Sequence, residues 1–146
     1  MFILPPVHEL TIVGVHDAGV PNRERIVLRP TEPLNLAAFA LLLSLRNPDG
    51  TIVPIPDQFF WLGERWLAPP AWIVVFTGPG AYREGAHETS GAPVIELHWG
   101  RSAVVLDTPN VVVSLVRLAG LNSFEPPPPA SLQHPSRESL PTNPRR

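Results

Sequence analysis

The sequence predicts an all-β sandwich, and three observations lead there. Its apolar residues fall into short runs rich in valine, isoleucine and aromatics, the runs are fenced by proline, glycine, asparagine and aspartate, and no stretch shows a sustained amphipathic helical period. Many short strands punctuated by turn signals belong to sandwiches and barrels rather than to alternating α/β folds. The organising stretch is Pro69-Pro70-Ala71-Trp72-Ile73-Val74-Val75-Phe76-Thr77-Gly78-Pro79-Gly80, which reads as a strand buried on both faces between a proline lead-in and a Gly-Pro-Gly exit. The remaining runs are its partners.

The elements follow in order. Leu10 to His16 is the first strand, ended by the turn residues Asp17 to Asn22. Arg25-Ile26-Val27-Leu28-Arg29 alternates, which puts Ile26 and Leu28 on one face and Val27 on the other with the arginines. Leu36 to Arg46 has helix-forming composition, yet it is also consistent with a strand that directs Phe39, Leu41, Leu43 and Leu45 inward and Ser44 and Arg46 outward. The flank decides for the strand, because Asn47-Pro48-Asp49-Gly50 has proline and glycine where a type I turn prefers them and Thr51 to Pro54 can return as a hairpin. Phe59-Phe60-Trp61 and Trp66 read as a short strand and a loop folding back over the core, with Glu64 and Arg65 on the wet side. Gly78-Pro79-Gly80 reads as a hairpin turn, and Ala81 to Pro93 as a mobile surface loop. Val94 to Trp99 resumes a strand, Ala103 to Leu106 is a further short apolar run, and Val111 to Leu118 is the last strand.

This gives three regions: an N-terminal arm over residues 1–9, a sandwich domain over 10–121, and a proline-rich extended tail over 122–146. The tail opens with Phe124-Glu125-Pro126-Pro127-Pro128-Pro129, a polyproline II sequence, and continues with too little apolar content to build a core.

Composition removes several classes of function. The chain contains no cysteine, so disulfides and thiolate chemistry are excluded, and its basic residues are all arginine, which excludes lysine Schiff bases. The net charge of −2 provides no field strong enough to hold a nucleic-acid backbone by electrostatics alone. The N-terminus lacks the basic start and long apolar run of a secretory signal, and the longest apolar stretch is too short to span a bilayer as a helix. The expected location is therefore the cytoplasm or an assembled particle.

The order of features resembles the lamin tail domain. Arg25 to Arg29 with Glu32-Pro33-Leu34-Asn35-Leu36 is similar to that family's strand and its approach to a Leu-Ser-Gly-Trp-x-Leu motif. The corresponding segment here is Leu36-Ala37-Ala38-Phe39-Ala40-Leu41, with Ala38-Phe39 where Gly-Trp is usual. Pro69-Pro70 leading to Val74 through Gly80 is similar to the family's strand ending in Thr-Gly-x-Gly, and Leu97 to Ser102 to its Leu-Gly-x-Gly segment. The resemblance covers Leu10 to Leu118. It implies an immunoglobulin-like antiparallel β-sandwich and a non-catalytic interaction module whose partners include proteins and DNA, and it transfers no catalytic residue.

Candidate chemistry is sparse. His8, His16, His87, His98 and His134 lack the close spacing of a zinc pair, so a metal hydrolase would need the fold to bring them together, with His16-Asp17 and His87-Glu88 as contributors. No serine sits in a nucleophile elbow. Trp61, Trp66, Trp72 and Trp99 offer either core or interface anchors or a stacking platform for sugars or bases lined by Arg65, Arg83 and Arg101, with Trp66 expected to be partly exposed. The leading expectation is a structural or protein-interaction subunit without a cofactor, which contacts itself or other subunits of an assembly through its terminal arms. The partner-binding candidates are Phe124, Pro126, Pro127, Pro128, Pro129, Arg145, Arg146 and Trp66. A nucleic-acid-binding accessory domain is the alternative.

Overall fold

The computed structural model describes residues 4–129. The chain is all-β: β1 (Leu10–His16), β2 (Arg25–Pro30), β3 (Leu34–Asn35), a 3₁₀ turn at Leu36–Ala38, β4 (Phe39–Arg46), β5 (Ile52–Trp61), β6 (Trp66–Leu67), β7 (Trp72–Phe76), β8 (Arg83–Ala86), β9 (Pro93–His98) and β10 (Val111–Arg117). Five strands form a sheet in the order β1-β2-β7-β9-β8, three form a second in the order β10-β4-β5, and β3 pairs with β6. Among the described residues no helix is long and apolar enough to cross a membrane.

One core draws on both larger sheets. Leu10, Ile26, Leu28, Ile73, Val75, Ile95 and Leu97 come from the five-stranded sheet and Phe39, Leu41 and Leu43 from β4, while Leu34, Leu36, Leu62 and Leu67 join them from the short elements between. The strand reading of Leu36 to Arg46 holds from Phe39 onward. The preceding residues form the 3₁₀ turn, whose first free amide is satisfied when Ala37 N–H donates to Asn35 Oδ1 at 3.0 Å.

Several details depart from the sequence reading. Val27, expected on the wet face of its strand, is buried, because β2 lies inside its sheet between β1 and β7. Leu45 and Ser44 keep the faces expected of them but not the burial: Leu45, on the face of Leu41 and Leu43, lies near the turn beyond the core and is exposed with its partner Val53, while small Ser44, on the outer face, is covered between Val112 and Pro54 on the neighbouring strands. Strand β5 is longer than expected, continuing through Pro54 and Pro56 to Trp61. It tolerates them as an edge strand, where a missing N–H on the open side costs no ladder bond. Ala103 to Leu106 is a loop.

The largest departure follows β7. Strands β7 and β9 are parallel, so the pairing is not purely antiparallel and Gly78-Pro79-Gly80 is no hairpin turn. The chain leaves the end of β7, passes the end of β9, and forms β8 on the outer edge. It then returns through a hairpin into β9, which lies between β7 and β8. The supposed loop from Ala81 to Pro93 thus contains a strand. Strand β8 has no apolar alternation, since all four residues are exposed, and its pairing is instead marked by Arg83, which meets Glu96 directly across the ladder at 2.8 Å.

Candidate functional site

The second sheet presents an apolar face to solvent. Register places Ala40, Leu42 and Ser44 of β4 on the same face as Trp61, Phe59 and Pro54 of β5 and Val116, Ser114 and Val112 of β10, opposite the face that Phe39, Leu41 and Leu43 turn to the core. Phe59 and Trp61 are each 51% exposed. They form part of a groove of about 610 Å³ lined also by Ala37, Ala38 and the segment from Leu118 to Leu121.

Each wall is fixed by a bond. The Trp61 indole N–H donates to Ala37 O at 2.8 Å, which pins the ring across the 3₁₀ turn, and Leu118 N–H donates to Ala38 O at 2.7 Å, extending the β10–β4 ladder into the groove's rim. Small side chains at Ala37 and Ala38 leave the floor open. Aromatic rings held at such a wall contact extended or proline-rich chains well, because they supply broad, rigid surface with little rotamer entropy to lose.

Trp66 is 66% exposed, as expected, but it is not among the groove's lining residues. Phe124, Pro126, Pro127, Pro128 and Pro129 are exposed on the segment that continues from the groove's rim. Arg145 and Arg146 lie outside the described residues, as does His134. Of the tryptophans, Trp99 packs against the core and stacks on Phe60 with centroids 5.4 Å apart, Trp72 is partly buried, and Trp61 and Trp66 are exposed. The three arginines proposed beside them are not free to line a platform. Arg65 is chelated by Glu84 at 2.9 and 3.0 Å, Arg83 is held by Glu96, and Arg101 donates to Asp57 O at 3.3 Å. Trp72 instead carries the Arg29 guanidinium 3.9 Å above its ring and stacks on His87 at 5.7 Å.

Among the described residues no group of three histidine, aspartate or glutamate side chains could hold a metal ion. His8 and His16 are exposed, His87 stacks on Trp72, and His98 stacks on Phe76 with centroids 5.1 Å apart. Asp17 is occupied by Arg25 at 2.9 Å.

One polar feature escaped the sequence reading altogether. Glu24 is 1% exposed, and its carboxylate accepts hydrogen bonds from Thr77 Oγ1 at 2.6 Å and from the amides of Gly19, Val105 and Leu106 at 2.9 Å each. Burial pushes its pKa up, but the donors outweigh burial and the net shift is downward. It ties three loops together beside a depression of about 320 Å³ lined by Pro21, Asn22, Thr77, Gly78 and Arg101 among others. A carboxylate already given this many donors is a structural clamp, with no proton or lone pair committed to a substrate. Its only sequence signal was a glutamate between two arginines, which normally indicates solvent.

No family model, curated protein or solved structure matches this chain.

Proposed function

We propose that this chain is a non-catalytic interaction module of lamin-tail-like, immunoglobulin-like sandwich architecture, a subunit that joins neighbouring copies in a larger assembly through its extended arms. The observation that carries the proposal is the solvent-facing groove of Phe59 and Trp61, with the exposed Phe124 to Pro129 segment leaving from its rim. A polyproline II segment binds aromatic grooves because its extended shape exists before binding, and groove and segment here belong to one sequence. An arm that fills the groove of the next copy makes a head-to-tail contact, which propagates into a ring or filament. Two sheets sharing one core support the sandwich reading.

The nucleic-acid alternative is not favoured. Arg23 and Arg25 meet Asp17, Arg65 meets Glu84, Arg83 meets Glu96 and Arg117 meets Glu9, so these cations are already neutralised at the surface.

The test is light scattering and chemical cross-linking of the full chain, of a chain ending at Leu121, and of the Trp61→Ala variant. Expected is a concentration-dependent oligomer that both changes weaken by roughly tenfold or more, the usual effect of removing an interface aromatic. Unchanged oligomerisation in both, with the fold intact by circular dichroism, rejects the arm-in-groove contact.

A further inference from the structure

We infer that the free edge of β10 pairs antiparallel with β10 of a second copy, about a two-fold axis at Ser114, to give one continuous sheet with three strands from each chain. The β10–β4 ladder decides which backbone groups of β10 face outward. Arg46 N–H donates to Asn110 O and Leu118 N–H to Ala38 O, so the even-numbered residues of β10 direct their backbone groups toward β4. The odd-numbered residues Val113, Leu115 and Arg117 therefore direct their N–H and C=O groups away from β4, along the outer edge of the sheet. Val111 N–H is taken by Thr108 O.

Exposed edges are normally protected, and the other three of the two larger sheets are. Strand β1 has a register shift between Ile12 and Gly14, β5 carries Pro54 and Pro56, and β8 is four residues long with exposed Arg83 and Glu84. Strand β10 has none of these devices: its seven residues, Val-Val-Val-Ser-Leu-Val-Arg, include no proline, pair with β4 without a shift, and contain one charge, which Glu9 of the same chain holds at 2.8 Å.

A second copy is the occupant that this edge fits. A two-fold axis at Ser114 sets Val113 against Leu115 as a hydrogen-bonded pair, places Val111 opposite Arg117, where the Arg117 N–H can donate to Val111 O, and sets Val112 against Val116 on the outer face. No two like charges are opposed, and the small serine meets itself at the centre. This surface is separate from the aromatic groove, so a chain ending at Leu121 keeps the pairing even if the arm contact is lost.

The protein contains no cysteine, which makes the test clean. In Ser114→Cys the two thiols face each other at a non-hydrogen-bonded position, where Cα atoms approach to about 4.5 Å, within disulfide reach. Mild oxidation should convert Ser114→Cys largely to a covalent dimer, while Thr89→Cys, exposed in the β8–β9 turn, stays mostly uncrosslinked. Ser114→Lys and Ser114→Glu should each self-associate roughly tenfold or more weakly than the unmodified chain, and an equimolar mixture should recover the dimer, since like charges meet in the first case and opposite charges in the second. Equal cross-linking at the two cysteine positions, or no recovery on mixing, overturns the inference. So does dimerisation seen only after residues 1–8 are removed, which would mean that the chain's own arm covers the edge.

Discussion

At Gly80 the backbone runs so close to the His98 ring that a Cβ would lie 2.3 Å from Nδ1 and 2.7 Å from Cγ. The cause is the parallel pairing of β7 and β9, which obliges the chain to cross the end of β9 where His98 stacks on Phe76. Gly80→Ala must displace that ring and should lower stability by about 1–3 kcal/mol, the usual cost of overpacking, read as a drop in the urea midpoint. Gly78→Ala is the control, since its Cβ would find nothing nearer than 3.5 Å, and it should shift the midpoint little. The Gly-Pro-Gly sequence announced a change of direction correctly. It could not announce that the second glycine answers to a histidine on another strand, because that contact exists only once the crossover is known.

Among the elements, the β4–β5 hairpin was readable because its turn chemistry is local: Gly50 N–H donates to Asn47 O at 2.9 Å, and Asp49 Oδ1 accepts from Thr51 N–H at 2.9 Å. Strand β8 was not readable, since its evidence lies in a partner strand and not in its own pattern. The outer face of β10-β4-β5 was hidden for a related reason. Alternation in β4 identified the inward Phe39, Leu41 and Leu43, but an apolar second face looks like core until the layers are counted. Glu24 acts at this scale, because it holds the loops at Gly19, Thr77 and Val105-Leu106 that join different strands. Glu24→Ala leaves those amides and the Thr77 hydroxyl without their acceptor, and a loss on the order of 3–5 kcal/mol is expected, as for stripping one partner from a buried charged network. Equilibrium urea unfolding measures it. Glu24→Gln keeps an acceptor oxygen and should cost less, whereas a carboxylate that faced water would show neither loss.

For the molecule as a whole, the all-β class and most strands followed from residue pattern, while the order of strands did not, since no local signal distinguishes a parallel from an antiparallel neighbour. What joins the parts at the surface is a set of carboxylate–arginine contacts, and these make a pH prediction. Hydrogen bonds from Arg117 hold the Glu9 carboxyl at about 2, and those from Arg65 and Tyr82 hold Glu84 at about 2, against an ordinary value of 4.5. Asp17, with Arg25, and Asp49, with Thr51, are lowered as well. In each case the folded chain binds its proton less readily than the unfolded chain does. Protons therefore favour unfolding as pH falls, so the stabilisation is fully present above about pH 5 and is lost on the way to pH 2. The melting temperature should stay level from neutral pH down to about 5 and then decline. Arg117→Gln and Arg65→Gln should start lower at neutral pH and decline less steeply, because each returns its glutamate toward the ordinary carboxylate value. A wild-type decline that both substitutions leave unchanged would assign acid sensitivity to the buried Glu24 instead, whose loss would open the loops from the inside.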